Sequence, residues 1–248
     1  LATTVCSGED AEITLDVSPT SAPATTYNLI SVTPENPSVI PMTGNAVIGN
    51  GFASTHIFSD AFTNQTFLPL WVEYVVAPVS AFGCIGDPVT FRLTVDPEPI
   101  MSASLNTTVC SDTPSGIVLA TNNSAVGAAS YNIDINFNGL TPSAGGPVVS
   151  GTGYDRLAIA DDAYTNTGNL PVVVTYTVVP VSLAGCFGAP LDVLLTVDPE
   201  PVVANNLDTT VCRAEATGLV LNTNGIRVLA TSSNLTRVTP SPGLTPPP

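Results

Sequence analysis

Five cysteines, Cys6, Cys84, Cys110, Cys186 and Cys212, are the side chains of this sequence best equipped for chemistry. No Cys-x-x-Cys pair occurs, and the single histidine is His56. Zinc wants four nitrogen or sulfur donors close together, so a centre of that kind is a poor fit. Cysteines recurring at long intervals in a strand-rich chain read as a disulfide framework in an oxidising compartment. Oxygen ligands are the other candidates. Asp161 adjoins Asp162, and the pairs Asp96/Glu98 and Asp198/Glu200 stand in two Asp-Pro-Glu-Pro runs. Such carboxylates could hold Ca²⁺, but no EF-hand loop surrounds them, and acidic turns at a solvated junction are the plainer reading. No other cofactor is expected. Asn-x-Ser/Thr sequons make Asn64, Asn106, Asn122 and Asn234 candidate glycan sites.

The bulk of the chain narrows what these residues can serve. With 44% hydrophobic and 10% charged residues it is too apolar and too weakly charged for a disordered polymer. Thr, Val, Pro, Gly, Asn and Ser dominate, as strands and turns require. The cations are Arg92, Arg156, Arg213, Arg227 and Arg237, with no lysine, against a net charge of −15. Phosphate neutralisation needs clustered Lys and Arg, so no nucleic acid is expected as partner, and an anionic membrane surface is disfavoured too. The acidity keeps an apolar β-protein in solution. No apolar run approaches the ~20 residues of a membrane helix, so no membrane insertion is expected in this segment. Nothing at Leu1 resembles a signal peptide, which suggests a mature product or a window from a longer protein.

The chain repeats itself. "YVVAPVSAFGCIGDPVTFRLTVDPEP" at 74–99 returns as "YTVVPVSLAGCFGAPLDVLLTVDPEP" at 176–201. Three segments open in one phase: "LATTVCSGED" at Leu1, "LNTTVCSDTP" at Leu105 and "LDTTVCRAEA" at Leu207. "GNGF" (49–52) matches "GTGY" (151–154), and "DAFTN" (60–64) matches "DAYTN" (162–166). The expected domains are 1–102, 103–204 and a partial third copy at 205–248. A Ser-His-Asp triad would have to use His56, whose counterpart is Ala158, and a Schiff base or a Lys–Asn isopeptide would need lysine. Repeated units repeat their sites, so catalysis is not expected.

Within one copy, Ile13, Leu15 and Val17 alternate with polar residues, as do Phe91, Leu93 and Val95. Period two puts one set on a buried face. The spacing predicts strands near 3–6, 11–17, 25–32, 45–49, 54–60, 68–79 and 88–96, and "TGLVLNTN" as a strand of the third copy. Tyr74 and Tyr176 fall on the core face, and Trp71 reads as local packing. About seven short strands per copy give an all-β chain of tandem antiparallel β-sandwiches. "GCIG" and "GCFG" carry the glycines of a tight hairpin. "DPEP" is stiff, because proline fixes its own φ and restrains its predecessor.

The order "TTVCSGE", "DAFTN" and then the long phrase ending in "VDPEP" resembles the PKD-like (immunoglobulin-like) repeats of large surface proteins in Bacteroidota. The resemblance covers both full copies and the start of the third. It implies sandwiches in tandem on secreted or cell-surface adhesins and fibres, and offers no catalytic residue to carry over. "VCSDT" and "VCRAE" lack the glycine of "VCSGE", so the first turn is expected to differ there. Asp208-Thr209-Thr210 resembles the O-glycosylation motif of the same bacteria, which adds Thr209 to the glycan candidates.

Two pairings of the cysteines remain open. Pairing within copies gives Cys6–Cys84 and Cys110–Cys186. In a simple immunoglobulin order these cysteines lie at opposite poles, ~25 Å apart, while a disulfide tolerates Cα separations of only about 4.4–6.8 Å. Stapling of successive copies would join Cys6 to Cys186 instead, and Cys212 would look beyond this chain. The third copy continues further, packs on the second, or exchanges strands with a neighbour. The expected function is a structural repeat segment of an extracellular bacterial stalk, fibre or adhesin that gives rigid spacing and self-assembly. Its partners would be neighbouring copies of itself or further repeats of the same chain. A module binding glycans or surface proteins, or accessory repeats of a secreted enzyme, are the alternatives.

Overall fold

The computed structural model describes residues 2–143 and 148–243. The first repeat holds β1 (Ala2–Cys6), β2 (Ala24–Pro34), β3 (Val39–Pro41), β4 (Gly49–Phe52), β5 (Phe62–Asn64), β6 (Leu70–Ser80) and β7 (Val89–Asp96). The second holds β8 (Thr107–Cys110), β9 (Ala128–Asn136), β10 (Thr141–Pro142), β11 (Gly151–Tyr154), β12 (Tyr164–Thr165), β13 (Val172–Ser182) and β14 (Leu191–Asp198). The main sheets run β1-β7-β6-β2-β4 and, equivalently, β8-β14-β13-β9-β11. In each, the first strand joins the last in parallel and the other pairs are antiparallel. Small β3-β5 and β10-β12 sheets lie in the second layer. No helix occurs among the described residues.

The period-two reading explains the inner faces. Val72, Tyr74 and Val76 on β6, and Val174, Tyr176 and Val178 on β13, are buried. Phe91, Leu93 and Val95 face them from β7, as Val193, Leu195 and Val197 do from β14. Each repeat closes its own apolar core.

Three expected strands come out differently. Residues 11–17 are extended and bury Ala11, Ile13 and Leu15 in alternation, yet form no regular ladder strand. Their neighbour, 54–60, is a chain of turns rather than a strand. His56, Phe58 and Asp60 N–H groups donate to carbonyls three residues back, of Ala53, Thr55 and Ile57. Its carbonyls at Ser54, Phe58 and Asp60 then accept from Leu15, Glu12 and Ala11 at irregular intervals. The expected 45–49 strand is a loop fixed by side chains. The Asn45 Nδ2 donates to the Ala61 carbonyl, and Asn45 Oδ1 accepts the Ala61 N–H, each at 2.9 Å. The short β3 and β5 were not read from the sequence.

The first turn does not change where the glycine is missing. Gly8 has φ +82°, and Asp112 takes φ +63° at the same place. Both N–H groups donate at 2.9 Å to matching carbonyls, of Phe62 and Tyr164. Asp tolerates the left-handed region better than most residues, and Asp112 also accepts hydrogen bonds from Ser143 and Thr165 hydroxyls. Those hydroxyls, Ser143 first, hold its carboxyl below the usual range.

The third copy contains no strand among its described residues. Val220, Ile226, Leu229 and Val238 are largely exposed. This copy meets the end of the second repeat through the Val203–Thr223 bridge, where the Ala204 N–H donates to the Asn222 carbonyl and the Asn224 N–H to the Val202 carbonyl, and through the Arg227–Glu200 ion pair.

Candidate functional site

The one place where residues of both repeats converge is their joint. β1 and β7 run parallel and end together, Cys6 beside Asp96. The Ser7 N–H, donating to the Asp96 carbonyl at 2.9 Å, locks that pole. From the other side comes the hairpin between β13 and β14. Ser182 and Cys186 close it, the Ser182 N–H donating to the Cys186 carbonyl at 2.8 Å and the Cys186 N–H to Ser182 Oγ at 3.1 Å. Gly185 makes the turn at φ +88°. Cys186 is fully buried and bonded to Cys6, with Cα atoms 5.3 Å apart. Cross-repeat stapling is therefore the pairing found; Cys84, Cys110 and Cys212 are free and exposed.

The linker completes the joint. Pro97 and Pro99 are buried. Ile100–Ser102 then lies along the second repeat through an antiparallel bridge of Met101 with Thr121: the Ser102 N–H donates to the Ala120 carbonyl at 2.9 Å and the Asn122 N–H to the Ile100 carbonyl at 2.8 Å. Met101 drops into the second repeat's core with Leu119, Tyr131, Val178 and Val193. Gly188 passes so close to the linker that a Cβ there would overlap the Pro99 carbonyl oxygen. On the far side, the Val126 N–H donates to the Thr66 carbonyl at 3.1 Å. Gln65 Nε2 donates to Glu98 Oε1 at 2.9 Å. A covalent bond, a backbone bridge and a loop contact thus hold the two bodies at separate points.

Each repeat also carries a buried polar knot that supports the sheets behind the joint. Asp60 accepts from the Tyr74 hydroxyl at 2.8 Å and the Ala46 N–H at 2.6 Å. Asp162 accepts from the Tyr176 hydroxyl at 2.9 Å, the Tyr164 hydroxyl at 3.4 Å and the Val148 N–H at 2.9 Å. Burial pushes both carboxyls above their usual range, and burial likewise raises the Tyr74 and Tyr176 hydroxyls. Nothing in "SDAF" or "DDAY" marks these aspartates as interior.

The other sequence candidates are dispersed. Asp162 is one of the calcium candidates, and its carboxylate is closed in by tyrosines. Asp161 is exposed; Asp96 and Asp198 end their strands; Glu98 binds Gln65, and Glu200 pairs with Arg227 at 2.9 Å. Among the described residues no three His, Cys, Asp or Glu side chains gather to hold a metal. Asn64 is no glycan acceptor in the folded repeat. It is fully buried, and its Nδ2 donates to the Leu68 and Val95 carbonyls. Asn166, outside any sequon, makes the same two bonds to Leu170 and Val197. Asn106, Asn234 and Thr209 are exposed, and Asn122 is half-buried with Oδ1 accepting from Ser124. Trp71 packs under the Arg92 guanidinium, 3.8 Å from its ring centre. His56 stacks on Phe52.

A family model described as "PKD-like domain" matches residues 3–99 and 107–201. Among solved structures the chain is similar to a crystal structure of human CDH23 EC21-23, at 10% identity and a TM-score of 0.29, over 90% of this chain and 78% of that one. It is similar also to zebrafish RET cadherin-like domains 1 to 4, at 12% identity and a TM-score of 0.20, over 75% and 44%. Scores this low carry no argument. No curated protein matches.

Proposed function

The chain belongs to the PKD-like domain family, and from that premise we propose that it is a structural repeat segment of an extracellular bacterial stalk, fibre or adhesin. The observation that carries this reading is the joint: a disulfide from Cys6 to Cys186, reinforced by a linker bridged to the next repeat at Met101 and Thr121. Tandem domains joined by a soft tether move freely; these are fixed at several points, which suits rigid spacing. A disulfide also persists best outside the reducing cytosol. The proposed role is mechanical. Neither a glycan-binding face nor an enzyme accessory role has a comparable feature to support it. Small-angle scattering of the chain tests the reading. One rigid interdomain geometry should fit residues 1–204 when oxidised, and thiol reduction should broaden it. A curve that needs a wide spread of interdomain angles when oxidised would sink it.

A further inference from the structure

The N-terminal pole of the first repeat presents residues equivalent to those that the second repeat presents at the joint. A groove of about 320 Å³ opens there, lined by Leu15, Tyr27, Val76, Pro78, Gly86 and Phe91. The counterparts in the second repeat are Leu119, Tyr131, Val178, Pro180, Gly188 and Val193, the residues that receive Met101 and Pro99. The edge is open as well. In the second repeat the Ala120 carbonyl and Asn122 N–H pair with the linker; among the described residues, the Asp16 carbonyl and Ser18 N–H at the same positions make no backbone hydrogen bond. Beside the groove stands the same hairpin, with the Ser80 N–H donating to the Cys84 carbonyl at 3.0 Å and Gly83 at φ +79°. Its cysteine is free and exposed, whereas Cys186 is fully buried. Phe82 and Ile85 on its tip are 94% and 66% exposed.

We propose that this pole is an acceptor site for the C-terminal end of another PKD-like repeat. The occupant is an extended Pro-Glu-Pro-aliphatic-aliphatic strand. It adds to the Asp16–Ser18 edge and places its second aliphatic side chain over Leu15 and Tyr27. The first-strand cysteine of the same incoming repeat then bonds to Cys84, two thiols losing two electrons and two protons to an oxidant such as a glutathione disulfide. This mode is β-strand addition, and its geometry is the one already present at Ile100–Ser102 and Cys6–Cys186. The corresponding end of the second repeat has the same Asp-Pro-Glu-Pro start at 198–201, with Cys110 free and exposed beside Asp198; its Val203 bridges Thr223 of the third copy, a contact that an acceptor edge must displace. Donor and acceptor lie at opposite poles and differ from each other, so their contact is heterologous and open-ended.

The inference rests on the structural-repeat reading but can fail alone: a rigid monomer that binds nothing would leave that reading intact. The test uses the full chain and a synthetic peptide of sequence Asp96–Ser102. Titration followed by amide shifts should move Asp16, Ser18, Tyr27 and Gly86 saturably. Replacing the peptide's Met by Asp should weaken binding at least tenfold. Gly86→Ala supplies the second arm. Its Cβ meets Pro78 Cγ at 3.0 Å in the open groove, so melting should hardly change, yet it should block an incoming proline as a Cβ at Gly188 would. The same loss of at least tenfold is expected. In glutathione-buffered solution, Cys84 should crosslink to Cys110 of another copy, and Gly86→Ala should cut the yield at least tenfold. No shift at millimolar peptide, binding unaffected by Gly86→Ala, or crosslinks chiefly between two Cys84 residues would overturn the proposal.

Discussion

Gly188→Ala should break the joint without touching the cysteines. Neither Gly188 nor Gly86 has a positive φ, so backbone strain plays no part. A Cβ at Gly188 would lie 2.9 Å from Pro180 Cγ and 3.0 Å from the Pro99 carbonyl carbon, besides overlapping the Pro99 oxygen. Non-bonded carbons settle at about 3.5–4.0 Å, so the linker must retreat by roughly 1–1.5 Å. Cys186 sits on the same short hairpin. Added to the present Cα separation of 5.3 Å, that retreat brings the pair close to the upper limit of about 6.8 Å. Overpacking of this kind costs about 1–3 kcal/mol, or roughly a five- to hundredfold fall in the bonded-to-free ratio. The assay is a thiol count under denaturing conditions after equilibration in a glutathione buffer that keeps the wild type bonded. Wild type should show three free thiols, Cys84, Cys110 and Cys212; Gly188→Ala should rise towards all five. Gly86→Ala should stay at three. A Gly188→Ala count that remains at three, or equal rises in both variants, would refute the argument.

Three further outcomes follow from the buried knots and the acidic surface. Tyr74→Phe and Tyr176→Phe each leave a buried carboxyl short of a donor and should cost about 1.5–3 kcal/mol, read by calorimetry as a lower melting temperature of the repeat concerned. Asp60 and Asp162 have folded pKa values above the ordinary 3.8, so the folded state holds their protons more tightly than the unfolded one. Their contribution is full below that value and is lost as pH rises through the folded pKa. The stability of wild type minus that of Asp60→Asn/Asp162→Asn should therefore fall with rising pH in urea titrations; a flat or rising difference contradicts it. Chelation by EDTA should shift the melting temperature by no more than about 1 °C, since stabilisation by a bound ion requires a site with affinity for it.

The sandwich was legible where burial alone sets the pattern. On β6 and β13 the alternation around Tyr74 and Tyr176 has period two because both faces are constrained along the whole strand. It misled at 54–60, where "HIFSD" alternates like a strand, yet the buried residues are Ile57 and Asp60, three apart, and hydrogen bonds close turns of three. The turn at Asp112 was misjudged for a related reason: one left-handed residue can be supported by side chains from Ser143 and Thr165, which are distant in sequence. The cysteine pairing turned on topology. Parallel β1–β7 pairing puts Cys6 at the pole where β7 ends, far from the hairpin that carries Cys84 and next to the one that carries Cys186. Asn64 shows the limit of motif reading, since its sequon is incidental to a buried amide that Asn166 reproduces without one.

The joint's strength comes from sharing an element rather than from area. Ile100–Ser102 follows the stiff Asp-Pro-Glu-Pro exit of the first repeat and is also bridged to the edge of the second at Thr121, with Met101 in the second core. Bending the joint therefore means breaking that bridge and exposing a core side chain, a cost of the kind that resists local opening inside a domain. The disulfide fixes the opposite corner, so the bridge and the Cys6–Cys186 bond resist rotation about different axes. In an array whose every joint repeats this one, each repeat contributes its first-strand end to one neighbour and its last hairpin to the other, so coupling passes from joint to joint only through a sandwich. Mechanical properties of such an array then follow from nearest-neighbour terms, and stiffness should persist along any number of copies that keep the cysteine, the linker and the glycine at the positions of Cys6, Pro99 and Gly188.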